Sequence, residues 1–435
     1  MTTKLAEIIE KYTTFVPEMN HEVYIARRMK LDNERQKGSP SLTVALVGIV
    51  LAIVVMILSI AIVMGFKGEI SGKIMHLDAH LRVTNAALGI DDNYAKVNGR
   101  EVREAIASDN EFAPLVESIS LVADKSAILK TDEDFMGIIM RGVDEGYDFR
   151  YLQSKMVDGS IPVVSDTASS NQVIISKTVA DRLKLHAGDK LLTYFIDNSI
   201  KVRNLTISGV FETDLEAFDN AYIVGGIGIV QGVNGWNGDT GTSVAVNMRS
   251  TRDLDNDAYQ LYTLLAGNTV QQESKNLFFV TTTQQNNLPF FAWLQMLDMN
   301  VVIILTLMMI VAAFTLISAM LMIVLERIRV IGNFKAMGAT NGSIRRIFIY
   351  LTGKLILKAL IIGNIIGIGL CLLQKYGHIV RLDPTAYYMP YVPISLSIPA
   401  LLALNLGIIA VSYLTLLGAS HIISTIKPTA TMRFE

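Results

Sequence analysis

Residues Glu326 to Phe348 read ERIRVIGNFKAMGATNGSIRRIF. Arg327, Arg329, Lys335, Arg345 and Arg346 stand there against a single acid, Glu326, with Lys354 just beyond. Ile328, Ile331 and Phe334 recur at helical spacing, and strongly hydrophobic runs lie on either side. A connection that is both basic and periodic is a folded element, because that spacing gives a helix one apolar face. The pattern breaks at Gly338-Ala339-Thr340-Asn341-Gly342. Gly338 suits a helix C-terminus, and Thr340 or Asn341 a cap for a helix starting near Ser343. The stretch therefore predicts a short amphipathic helix on a membrane surface, followed by a sharp turn.

The flanking runs set the fold class. Residues 299–325 contain no charged side chain, and residues 355–374 contain one, Lys358, near an end where a lysine can reach the interface. Two further charge-free runs cover residues 43–66 and 394–424. Each is long enough, at about 1.5 Å per residue, to cross a hydrocarbon core of roughly 30 Å. With 51% hydrophobic and 18% charged residues, the 435-residue chain is too apolar for an ordinary soluble enzyme. Residues 1–20 are polar and the first apolar run is 24 residues long, so that run reads as a retained span and not a cleaved signal.

Four spans place both termini on one side. Seven Lys and Arg precede the first span, five of them (Arg27, Arg28, Lys30, Arg35, Lys37) clustered just before it, and residues 326–358 carry seven more. The short segment between spans three and four carries only Lys375 and Arg381. Basic short segments stay cytoplasmic, so both termini and the basic connection are expected inside. The expected division is a cytoplasmic segment 1–42, span 43–66, an extracytoplasmic domain and stalk 67–298, and span 299–325. A cytoplasmic coupling segment 326–354, span 355–374, an outer loop 375–393, span 394–424 and a cytoplasmic tail 425–435 follow.

Residues 67–298 carry 20 Lys and Arg against 31 Asp and Glu, an acidic balance that argues against nucleic acid as a partner. HLRVTN, QVIISK, DKLLTYFI, KVRNLTISGVFE and TSVAVNM read as strands, and REVREAIASDN, KTVADRLK and RDLDNDAYQLYTLLAG as helices. The Gly- and Asn-dense stretch 225–243 reads as a surface loop. The whole is an α-helical membrane protein with four transmembrane helices and a large α+β extracytoplasmic domain inserted between helices 1 and 2.

Little in the chain suggests catalysis. No GxxxxGK[ST] phosphate loop occurs, so any ATP dependence is expected from a partner. His76 and His80 sit four apart but without the glutamate of HExxH; polar residues near the membrane surface explain them better than a metal site. The single cysteine, Cys371, permits no internal disulfide. Gly363 and Gly367 form GxxxG, and Asn364 and Asn405 are placed to hydrogen-bond between spans.

The basic connection resembles the FtsX-like permeases of ABC transporters of the MacB and LolC/LolE type. Their segment after the second span, E-[KR]-x-R-E-I-x-[IV]-L-K-[AT]-[ML]-G-A-[TS], is matched in order by Glu326, Arg327, Arg329, Ile331, Lys335, Ala336, Met337, Gly338, Ala339 and Thr340. Val330, Asn333 and Phe334 depart from it. Tyr24-Ile25-Ala26-Arg27-Arg28, Met64-Gly65-Phe66 with His80-Leu81-Arg82-Val83, Met140-Arg141-Gly142-Val143-Asp144, Asp383-Pro384 to Val392-Pro393, and Lys427-Pro428 to Glu435 resemble further motifs of the lipoprotein-releasing branch.

The resemblance implies a non-catalytic subunit whose coupling helix docks on a cytoplasmic ATPase dimer, which itself binds ATP and Mg. It also implies a second permease subunit, a bacterial inner-membrane location, lipoprotein cargo and a periplasmic carrier. MacB-like efflux of peptides or amphiphiles and FtsX-like signalling to a cell-wall hydrolase are the competing readings.

Overall fold

The computed structural model describes residues 40–85, 96–131, 134–164, 171–196, 200–271 and 278–419. The basic cluster before the first span, Tyr24–Arg28 and the Lys427–Glu435 ending lie outside them. The chain divides into two compact units, one holding residues up to Phe66, Gln295–Val380 and Val392 onward, the other Lys67–Leu294 with Arg381–Tyr391.

The first unit is helical. Its long helices are Pro40–Leu77, Leu288–Glu326, Asn341–Gly377 and Ile398–Ala419. All four are apolar and long enough to span a membrane, and the first three continue well past their charge-free cores. They are called here membrane helices 1 to 4. Membrane helix 1 buries Ile49, Ile53, Met56 and Ile57 in a cluster with Leu316, Met320 and Ile323 of helix 2 and Phe348 of helix 3.

Two devices bring these helices close. A Cβ on Gly363 would lie 2.8 Å from Ile53, and one on Gly367 2.9 Å from Ile57, so the GxxxG stripe of helix 3 receives two isoleucines of helix 1. Asn364 and Asn405 exchange amide hydrogen bonds between helices 3 and 4, at 2.7 and 3.1 Å. Gln374 then closes the outer end of helix 3: its amide donates to the Val380 and Val392 carbonyls and its oxygen accepts the Val380 N–H.

The second unit is a mixed sheet with helices against it. Its strands are β1 Leu81–Asn85, β2 Val97–Asn98, β3 Val116–Lys130, β4 Phe135–Val143, β5 Met156–Gly159 and β6 Gln172–Ser176. β7 Lys190–Ile196, β8 Ile200–Phe211, β9 Tyr222–Gly226, β10 Thr240–Gly241, β11 Ser243–Met248 and β12 Phe278–Thr282 follow. The pairing order β3-β4-β9-β6-β8-β7 returns to β3, which closes six strands into a ring and leaves those strands no free edge there. β3 is long enough to serve two neighbours: residues 116–122 pair with β11 and residues 127–130 with β7. Beyond β11 the open part of the sheet ends in β1 and β12.

One expectation is overturned. The Gly-rich stretch 225–243 is no surface loop: it finishes β9, forms helix Ile227–Asn234 and leads into β10 and β11. Ile227, Ile229, Val230 and Val233 are buried in the domain core. Two glycines of the stretch serve that packing, since a Cβ on Gly225 would lie 2.8 Å from the Gln172 carbonyl oxygen and one on Gly241 2.6 Å from the Val122 carbonyl oxygen. The long strand β3 was also not apparent from the sequence.

Candidate functional site

The sequence singled out the coupling segment, and its geometry follows from local rules. Helix Ile328–Ala336 is capped at its end by Met337 and then Gly338 in the left-handed region, φ +88°, a conformation that glycine adopts without a Cβ penalty. Thr340 is the next N-cap, accepting the Ser343 N–H at 3.2 Å on its hydroxyl oxygen, and membrane helix 3 starts at Asn341. Ile331 is fully buried, while Glu326, Arg329, Ala336, Gly338 and Thr340 are exposed and Met337 is 73% exposed. Arg327, Lys335 and Ala339 are half-buried. Nearby, Arg345 donates to the Leu417 carbonyl, satisfying one of the orphan acceptors at the end of helix 4.

A second polar constellation sits where membrane helix 1 ends, and none of it was singled out as a site. Asp78 follows the last helical residue, Leu77. Its carboxylate pairs with Arg82 of β1 and accepts the Asn287 amide at 3.0 Å, just before membrane helix 2 begins. Buried Arg141 of β4 grips Asp124 of β3 through two 3.0 Å bonds, donates to the Leu77 carbonyl and lies over the Tyr222 ring at 4.3 Å. Burial pushes the Asp78 carboxyl up, but Arg82 and Arg141 outweigh it and hold it below the usual carboxylate range. Asp144, the residue after β4, accepts the Ser120 hydroxyl and the Leu121 and Gly146 N–H groups and pairs with Arg103. Thr283 adds a bond to the Ala79 carbonyl at 2.6 Å.

His76 and His80 do not converge. His76 stacks on Tyr151 with ring centroids 5.1 Å apart. His80 Nδ1 accepts the Met248 N–H at 2.9 Å, and burial keeps the ring below the usual imidazole range. Both line a cavity of about 470 Å³ with Glu117, Asp148 and Arg150. Among the described residues no group of three or more His, Cys, Asp or Glu side chains has metal-site geometry.

The family described as MacB-like periplasmic core domain matches residues 42–261, and that described as FtsX-like permease C-terminal matches residues 302–428. The chain belongs to the FtsX-like, MacB-like family of ABC transporter permeases. It is an ABC transporter permease subunit of the inner membrane, with its extracytoplasmic domain between the first and second membrane helices. The family works with an ATPase partner and a second permease subunit.

Two curated relatives of this permease come from Xylella fastidiosa, strains Temecula1 and 9a5c. Both are described as lipoprotein-releasing system transmembrane protein LolC, 21% identical over 408 residues, which is 90% of this chain and 93% of theirs. Among solved structures, the extracellular domain of the noncanonic ABC-type transporter YknZ from Gram-positive bacteria covers 47% of this chain and 99% of its own, at 16% identity and TM-score 0.33. The periplasmic region of MacB from Actinobacillus actinomycetemcomitans covers 48% of this chain and 91% of its own, at 15% identity and TM-score 0.32.

Proposed function

We propose that this permease extracts lipoproteins from the outer leaflet of the inner membrane and passes them to a periplasmic carrier. The observation that supports this reading is the end-to-end alignment with chains described as LolC, across nine tenths of both lengths. The physical demand is large: each buried methylene is worth about 0.8 kcal/mol, so three acyl chains are not released without an energy source.

In this reading the energy enters at the coupling segment. Glu326, Arg327, Arg329, Ile331, Lys335, Ala336, Met337, Gly338, Ala339 and Thr340 seat on a cytoplasmic ATPase dimer that binds ATP and Mg itself, and both termini lie in the cytoplasm. Ile331 anchors the helix to the permease, while exposed Met337 and Arg329 meet the ATPase. Membrane helix 2, 39 residues and so roughly 58 Å long, carries the displacement outward as a rod. A second permease subunit, identical or different, completes the path, and Gly363, Asn364 and Gly367 hold helices 1, 3 and 4 together within one chain.

The test is to deplete the protein in its host and measure acylated lipoproteins in the two membranes. Accumulation in the inner membrane supports release; unchanged sorting overturns it and favours efflux of amphiphiles or signalling to a cell-wall hydrolase.

A further inference from the structure

Lys73 lies one turn before the end of membrane helix 1 and its side chain is 5% exposed. An ammonium has three donors and no acceptor, and here all three are used. They go to the Thr213 carbonyl at 3.1 Å, to Asp214 Oδ2 at 3.4 Å and to the Tyr388 carbonyl at 2.7 Å. The acceptors come from the turn after β8 and from the outer loop that joins membrane helices 3 and 4. That loop is closed on itself by the Arg381–Tyr391 bridge and the Leu382 N–H to Pro390 carbonyl bond.

Both acceptor segments are bent to meet the lysine. Asp214 has φ +58° and Tyr388 φ +60°, left-handed conformations that a bulky L-residue adopts only where its surroundings hold it. The surroundings are visible. Thr213 is fixed by Asp219, which accepts its N–H at 3.1 Å and its hydroxyl at 2.7 Å. The Tyr388 ring meets Phe290 and Trp293 edge-on, with centroids 6.2 and 6.4 Å apart, and those two residues open membrane helix 2.

We propose that Lys73 is a clasp that fastens the outer loop to the outer ends of membrane helices 1 and 2, so that the 381–391 loop moves as part of the extracytoplasmic domain throughout the ATP cycle. Lys73 is a positioning residue: it keeps the motion of helices 1 and 2 from being lost in an independently moving loop. The proposal rests on the permease assignment and is independent of which cargo is carried.

The test uses the full chain in nanodiscs with its permease partner and ATPase, with the single cysteine replaced by Cys371→Ala. Spin labels are placed at two exposed positions through Ala217→Cys and Tyr387→Cys. The expected result is one narrow distance that stays the same in the nucleotide-free and ATP-trapped states. Lys73→Met should broaden it in both states and lower lipoprotein released per ATP hydrolysed at least tenfold, with hydrolysis itself within twofold. Lys73→Arg should restore both.

A wild-type distance that changes between states overturns the clasp, and does so even where Lys73→Met fails to assemble. Lys73→Met with the wild-type narrow distance, or with wild-type release per ATP, also overturns it. If the wild type releases no lipoprotein, the cargo reading fails by itself and the distances alone decide the clasp.

Discussion

The residues around Asp78 and those around Met337 are built on opposite rules. At the outer junction, Arg141 alone joins β4 to β3, to the end of membrane helix 1 and to an aromatic ring, all within the protein. In the coupling segment only Ile331 and Gly332 of the short helix are buried, and Met337 points an apolar side chain outward. A buried ionic network fixes angles between elements and tolerates no single deletion. A helix held by Ile331 and Phe334 on one face and exposed on the other can be completed by a partner. The outer junction should therefore respond to mutation through folding, the coupling segment through ATPase coupling.

The largest effect is expected from Arg141→Leu, which leaves Asp124 without its bidentate partner. Removing one member of a buried pair costs about 3–5 kcal/mol, whereas replacing both members with apolar residues is often near neutral. The double variant Arg141→Leu, Asp124→Leu should thus recover most of the loss. Both tryptophans, Trp236 and Trp293, lie in the extracytoplasmic unit, so denaturant unfolding of the full chain followed by tryptophan fluorescence reads this region selectively. A loss below about 1 kcal/mol in the single variant would show that water, not Arg141, holds the junction.

Asp219 gives the next largest effect, through pH. Burial, against the two bonds from Thr213, lifts its carboxyl to about 6 from the usual 3.8. The folded state then binds a proton that the unfolded state has released. Stability attributable to this group is greatest near pH 4 and falls as pH rises to about 6, by on the order of 3 kcal/mol. Asp219→Asn keeps an oxygen for the Thr213 N–H and removes the titration. The wild type minus variant difference in unfolding free energy should slope between pH 4 and 6 and be flat above pH 7; a flat difference throughout would place the carboxyl in water.

The contrast between the two regions also marks what the sequence discloses. Elements governed by neighbours in the chain are legible: the four apolar runs, Gly338 at its left-handed position, the Thr340 cap and the Gly363–Gly367 stripe. Lys73 is not, because its acceptors lie 140 and 315 residues away and no local pattern announces them. Arg141 carried a faint signal, as part of the Met140–Asp144 motif, but not its role as a junction. Strand β3 is hidden by Lys125, which is 1% exposed on the row shared with Ala123, Ala127 and Leu129; a buried charge interrupts the alternation that identifies a strand. The 225–243 stretch misleads for the converse reason: Gly225 and Gly241 mark close packing, and only Gly235 and Gly238 mark the turn that ends the helix.

Inside the membrane unit the polar pairing is milder and sharpens the comparison. Asn364→Leu removes a reciprocal amide pair, yet Asn405 still donates to the Leu401 carbonyl of its own helix at 2.7 Å. With that fallback, the expected cost is about 0.6 kcal/mol and at most about 1.7, measured by unfolding in bicelles. A cost like that of Arg141→Leu would mean the amide pair, and not apolar packing of Gly363 and Gly367 on helix 1, sets the arrangement of helices 1, 3 and 4.

The smallest stability effect should come from the coupling segment. Lys335→Ala with Met337→Glu alters a half-buried stem and an exposed side chain, and surface changes of this kind stay within about 0.5 kcal/mol. If the segment docks on the ATPase, the same variant should insert normally and unfold like the wild type while losing all stimulation of ATP hydrolysis by its partner. Glu at position 337 would bury a charge against the ATPase surface that the methionine is expected to meet, a desolvation cost paid only in the complex. Full stimulation in a correctly inserted variant would remove Met337 and Lys335 from the docking surface. Loss of stimulation accompanied by a loss of several kcal/mol in stability would instead show that this end, like the outer junction, is held from within.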